Sequence, residues 1–193
     1  KKKLKDGTFT IDFCDDSLHT NGNLSICGGT YTLSTGDDGM HADGADQVYG
    51  GEITIKTCYE GIKGQNMEIS GGTIDITASD DGNGALDYNG TATITGGTLV
   101  AAGMSGMEQN FGSDSTQGTL MMNLTDNQSG KITLEDANGN TLVSYTPMRE
   151  YNSVVISCAE LSDGSTYTIH TGENSREVTM EGLVYTDGEV TNA

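Results

Sequence analysis

The sequence predicts an all-β fold: a parallel β-helix, or solenoid, closed at its C-terminal end by an antiparallel β cap. Three observations carry this. First, a glycine recurs at positions 7, 29, 51, 72 and 97, at intervals of 22, 22, 21 and 25 residues. Second, the residues after each glycine alternate: "TFTIDF", "TYTLST", "EITIKT", "TIDITA" and "TLVAAG". The second and fourth of these are apolar (Phe9 and Ile11, Tyr31 and Leu33, Ile53 and Ile55, Ile74 and Ile76, Leu99 and Ala101), the period of a half-buried strand. Third, two more apolar columns keep the same register. One is Leu18, Met40, Ile62, Leu86 and Met107; the other is Ile26, Val48, Ile69 and Ile94.

Three short apolar segments per repeat, separated by Gly, Asp and Asn turns, describe one coil. A single coil cannot bury its inward face, but stacked coils bury a continuous column. Each strand then pairs with its equivalent about 4.8 Å away in the next coil. Evenly spaced strands would also suit a β-sandwich; three aligned columns favour the solenoid. The interval of 25 aligns if Asn83, Gly84 and Ala85 are an insertion. Residues 1–117 are therefore expected to form a β-helix of about five coils. From residue 118 the repeat stops, and segments such as "GKITLED", "TLVSYTP" and "STYTIHTG" alternate like antiparallel strands, with "ANGN" (137–140) as a hairpin turn. Residues 118–193 are read as a β-rich capping region over an otherwise open sheet edge. At the other end only "KKKL" offers cover, which points to a further segment or a partner there.

Composition narrows the function. The chain has 193 residues, with 28 Asp and Glu against 9 Lys and Arg, a net charge of −19. Nucleic acid is excluded as a partner, because phosphate binding needs clustered cations. There is no run long enough for a transmembrane span. "KKKLKDG" has no apolar h-region behind it; the expectation is an exported protein whose leader is absent from this chain, placed outside the cell or at its surface. The four cysteines form no CxxC pair, so a zinc ribbon is not expected. Cys14 and Cys58 occupy equivalent positions two coils apart, about 9.6 Å, beyond disulfide reach. Free or buried thiols are expected.

The turns carry chemistry. In register, Asp15 and Asp16 sit over Asp37 and Asp38, then Tyr59 and Glu60, then Asp80 and Asp81. Asp43 aligns with Asn21 and Asn89; His41 aligns with His19, Lys63 and Asp87. Like charges stacked one coil apart repel by about 3.5 kcal/mol at an effective dielectric near 20, and by about 0.9 kcal/mol in bulk water. A bound cation reverses that sign. Oxygen ligands on flexible turns suit Ca²⁺ better than zinc or copper. Asp15, Asp16, Asp37, Asp38, Asp43, Glu60, Asp80 and Asp81 are thus candidate metal ligands. The competing reading is that Asp-Asp-Gly simply forms turns by bonding its own backbone.

The segments "GGTYTLSTGDDGMHADG", "ITIKTCYEGIKG" and "ISGGTIDITASDDG", followed by "GNGALDYNGTATITGGTLVAAGMSGMEQNFG" and "STQGTLMMNL", resemble a bacterial family of carbohydrate-binding domain proteins. The resemblance spans roughly residues 20 to 170. It implies an extracellular, right-handed parallel β-helix with bound calcium, similar in shape to calcium-dependent pectate lyases. It implies binding of plant cell-wall polysaccharides, such as cellulose and acidic galacturonan, rather than cleavage. The family's turn motif falls here on Asp37, Asp38, Asp43, Glu60, Asp80 and Asp81. Two departures stand out. Family members carry extra glycine-rich sequence where "SDDG" meets "GNGALDYNG" here, and read "YEGIEG" where this chain has "YEGIKG", which sets Lys63 beside the acidic column.

The leading expectation is a non-catalytic, calcium-dependent binder of acidic, uronate-containing polysaccharide, since calcium can bridge protein and uronate carboxylates. Tyr59, Lys63, Asp87, Tyr88 and His41 are candidate ligand contacts. With no Trp, the aromatic platforms a neutral glucan would use reduce to Tyr49, Tyr59 and Tyr88. One alternative is a calcium-assisted polysaccharide lyase with Lys63 as base. Another is a structural protein that stacks head to tail into filaments.

Overall fold

The computed structural model describes residues 1–79 and 81–188 and is all-β. A solenoid of about five turns covers residues 2–102, and a four-stranded antiparallel sheet lies C-terminal to it. The solenoid strands are β1 (Lys2–Leu4), β2 (Thr8–Cys14), β3 (Leu18–Thr20), β4 (Leu24–Thr35), β5 (Met40–Thr57), β6 (Ile62–Thr77), β7 (Leu86–Tyr88) and β8 (Ala92–Gly103).

The ladders reproduce the sequence columns residue for residue. Phe9, Tyr31, Ile53, Ile74 and Leu99 pair in succession, as do Ile11, Leu33, Ile55, Ile76 and Ala101. Leu18, Met40, Ile62 and Leu86 form the second column, and Ile26, Val48, Ile69 and Ile94 the third. All pairings are parallel, so identical inward residues meet one coil apart, and nearly all of these side chains fall in one core cluster. Met107 is the exception. It was expected in the second column but is 59% exposed. Met107 lies beyond β8, where the solenoid's parallel strand ladder ends, so no strand pairing draws it inward.

A second difference concerns the corners. Three separate segments per coil were expected, yet β5 and β6 each run through three of them in one bent strand. One bend falls at paired glycines. Gly51 and Gly72 have φ of 106° and 93°, and a Cβ on either would stand 2.9 or 2.8 Å from the carbonyl oxygen of the corresponding glycine in the preceding coil. Only glycine accepts both the left-handed φ and the close approach.

The cap completes the sheet. β12 (Tyr151–Ser157) pairs antiparallel with β8, β9 (Thr119–Gln128) pairs antiparallel with β12, and β15 (Val184–Asp187) adds parallel to β9. The last solenoid edge is thereby occupied, which removes a template for uncontrolled strand addition. β8 is buried on both faces. Leu99 and Ala101 face the solenoid interior, while Val100 and Ala102 face a second core. That second core is closed by the four-stranded sheet, in order β11 (Thr141–Tyr145), β10 (Ile132–Glu135), β13 (Thr166–Thr171), β14 (Asn174–Thr179). Double burial explains why "TLVAAG" is apolar almost throughout. All four thiols are free, with Cys58 and Cys158 buried.

Candidate functional site

The stacked turns between the strand ending each coil's first column and the strand opening its second form one edge of the solenoid. Backbone bonds hold the stack: the Asp37 amide donates to the Asp15 carbonyl at 3.3 Å, and the Tyr59 amide to the Asp37 carbonyl at 2.7 Å. This places Asp16, Asp38 and Glu60 one above another. Asp38 is 1% exposed and Glu60 is also buried.

The next position continues differently from the sequence alignment. The Ser79 amide donates to the Tyr59 carbonyl, and the Gly61 amide donates to the Ala85 carbonyl. One residue, Glu60, stands between Tyr59 and Gly61, whereas residues 80–84 stand between their partners. The residues added relative to the preceding coil fall between Ser79 and Ala85, and Asp81 is looped out of register. Asp81 is exposed and accepts a hydrogen bond from the Ser79 hydroxyl. Asp80 lies outside the described residues. The stacked acidic ladder is carried by Asp16, Asp38 and Glu60.

Three residues after each acid stands a base: His19, His41 and Lys63, paired in register across β3, β5 and β6. Acid and base share one edge of the stack, so each base reaches its own acid, and the two later bases also reach the acid of the coil before. His19 Nδ1 is 3.0 Å from Asp16 Oδ2. His41 Nδ1 lies 3.3 Å from Asp16 Oδ2 and 3.2 Å from Asp38 Oδ2. Lys63 Nζ lies 2.7 Å from Glu60 Oε2 and 3.6 Å from Asp38 Oδ2. The two imidazoles stack with centroids 4.8 Å apart and planes within 5°. The arrangement interleaves acids with nitrogen bases, of which Lys63 carries the charge. It offsets part of the repulsion that an all-carboxylate column would suffer.

The offset is incomplete. Asp38 Oδ1 is buried with no hydrogen-bond partner. Burial pushes the Asp38 carboxyl up to about 7, against the pull of Lys63 and with further upward push from Glu60, Asp37 and Asp16. For Lys63, burial works against the charge, but the hydrogen bond from its ammonium to Glu60 and the field of Asp38 outweigh it and hold the group above the usual lysine range. A lysine so held stays protonated at neutral pH and is a poor general base.

Among the described residues, two groups of side chains bring ligand atoms within 4.8 Å of one another: Asp16, Asp37 and Asp38, and Asp16, His19 and His41. The first is an all-oxygen set that includes Asp38, whose Oδ1 has no partner, so a hard cation fits it. The remaining candidates scatter around this centre. Asp43 is exposed; it accepts from Asn21 at 3.3 Å and lies 3.8 Å from His41 Nε2. Asp15 and Asp37 are exposed at the rim. Asp87 pairs in register with Lys63 and is half-buried. Tyr59 keeps 38% of its surface in solvent beside Glu60. Tyr88 is different: its hydroxyl donates to the Asn110 carbonyl at 2.7 Å and its ring packs on the solenoid core, so it pins a corner.

One acid escaped the sequence reading. Asp46 is fully buried and pairs with Leu24 and Met67, and Met67 with Ala92, in an inward column. Its signal was available, because the alternation that places Val48 inside places residue 46 inside too. Burial pushes its carboxyl up to about 8, and the Ala42 amide offsets only part of that.

A family model described as carbohydrate-binding domain-containing protein matches residues 1–106, a span that ends just beyond β8. No curated protein and no solved structure matches the chain.

Proposed function

Because the chain belongs to the carbohydrate-binding domain-containing family, we propose that it is a non-catalytic, calcium-dependent binding module for acidic, uronate-containing polysaccharide, working outside the cell. The observation that carries the calcium is Asp38, a buried carboxylate with an unpartnered oxygen, converging with Asp16 and Asp37. A cation there relieves the remaining repulsion. Left with open coordination positions at the solvent-facing rim, that cation can take a uronate carboxylate as a further ligand. This resolves how a chain of charge −19 attracts a polyanion. Asp37 and Asp43 at the rim are suited to sugar hydroxyls, with Tyr59 alongside. The field that keeps Lys63 protonated weighs against the lyase reading, whose chemistry needs a neutral amine.

The test is calorimetric titration with oligogalacturonate, in calcium and in EDTA. Binding in calcium, its loss in EDTA, and weakening of about tenfold or more in Asp37→Ala are expected; Asp37 is exposed, so that variant should fold. Equal affinity in EDTA would sink the calcium bridge. A rise in absorbance at the wavelength of unsaturated uronates, abolished in Lys63→Ala, would replace the binding module with a lyase.

A further inference from the structure

Phe13 is explained neither by the core nor by the acidic ladder. Along β2, Phe9 and Ile11 point inward and Thr10 and Asp12 outward, so alternation alone would send Phe13 into the core. Instead the ladder slips. Ile11 pairs with Leu33 but Cys14 pairs with Thr35, so Asp12 and Phe13 together oppose the single Ser34. Phe13 is the residue this bulge expels. It is 100% exposed, and it is the one non-glycine among the described residues with a positive φ, at 60°. A phenyl ring in solvent and a left-handed backbone at a bulky residue are both unfavourable, and neither yields a folding contact. Bulges re-aim side chains, and strained residues persist where their surroundings fix them. The surroundings here are fixed from the next coil: the Gly36 amide and Thr35 hydroxyl both donate to the Cys14 carbonyl, each at 3.0 Å. Asp15 and Asp16 follow directly in the same corner.

We propose that Phe13 is a sugar-stacking platform, its ring meeting the apolar C–H face of a pyranose whose polar rim is held by the adjacent acidic corner. A pyranose presents an apolar face bordered by hydroxyls; an exposed aromatic face next to carboxylates is its complement. Phe13 also supplies what composition lacks. The chain has no Trp, and the other exposed aromatics, Tyr49 and Tyr59, retain 48% and 38% of their surface in solvent. This inference rests on the glycan-binding reading above.

Phe13→Gly and Phe13→Trp test it, with oligogalacturonate and cellohexaose as probes in calcium. Glycine accepts a positive φ, so Phe13→Gly should melt a few degrees higher than the parent. The same variant should bind its glycan about tenfold more weakly or worse. Phe13→Trp should keep its affinity, and its fluorescence should change on adding glycan. Three results would each overturn the platform: unchanged glycan affinity in Phe13→Gly, a lower melting temperature in that variant, or loss of self-association in light scattering with glycan affinity intact. If the parent protein binds neither probe, the glycan reading fails and the platform with it. If the parent binds and Phe13→Gly binds equally, the platform alone fails.

Discussion

At the scale of single residues, burial and charge set the behaviour of this protein more than any one motif does. Asp46 shows it most simply. A carboxyl held at about 8 in the fold, against an ordinary value of 3.8, keeps its proton when folded and loses it when unfolded across that interval. The native state then binds more protons than the unfolded state, so stability falls as pH rises from about 4 to about 8, by up to about 1.4 kcal/mol per unit. Asp38, raised to about 7 by burial, adds to the same slope. Asp46→Asn keeps the shape without the titration. Denaturant unfolding should show the two proteins similar at or below about pH 4 and the variant more stable at pH 8; parallel profiles would contradict the buried-acid account. Asp46→Leu continues the Leu24 and Met67 column and should raise the melting temperature at pH 8.

The elements are governed by repetition. β5 and β6 lie at the centre of the solenoid, paired on both sides in parallel register over most of their length. Their bend depends on glycines that face a carbonyl oxygen of the preceding coil. Gly72→Ala must accept both a φ of 93° and a Cβ 2.8 Å from the Gly51 oxygen. A loss of about 1–3 kcal/mol is expected, or more if the strand must shift. Gly139 has φ of 79° but open space around it, so Gly139→Ala should cost only the backbone term. Thermal denaturation of the two variants separates close approach from dihedral preference. A Gly72→Ala penalty no larger than that of Gly139→Ala would mean the coils separate freely at their corners.

For the whole molecule, two cores share β8 and stability is coupled through it. Ile156 is fully buried in the second core on the strand that seals β8. Ile156→Ala should cost about 2–5 kcal/mol, read in urea. It should also raise amide exchange in β8 of the solenoid, while an effect confined to the four-stranded sheet would show that the cap folds independently. Calcium acts at the same scale, since a ligand that binds only the native state stabilises it by mass action. At a hundred times its dissociation constant the gain is about 2.7 kcal/mol. The melting temperature should rise in calcium and fall back in EDTA, and Asp38→Asn should blunt the rise. No shift, with no metal found by elemental analysis, would remove calcium from the account.

The solenoid was legible in the sequence because its period is exposed in the chain itself. Inward positions must be apolar, corners must be Gly, Asp or Asn, and each coil repeats both demands. Phe9 to Leu99 and Ile11 to Ala101 could be placed by counting. So could His19 over His41 over Lys63. What counting could not supply was where the repeat bends or breaks. The bulge that expels Phe13, the loop that takes Asp81 out of the ladder, and the departure that leaves Met107 in solvent arise where pairing slips locally, where residues are added to a coil, and where the ladder ends. The sequence likewise determined that acids would stack, but not that Lys63 and the two histidines would interleave with them. That outcome depends on distances between side chains from different coils, 25 residues apart along the chain, and only packing in three dimensions sets those.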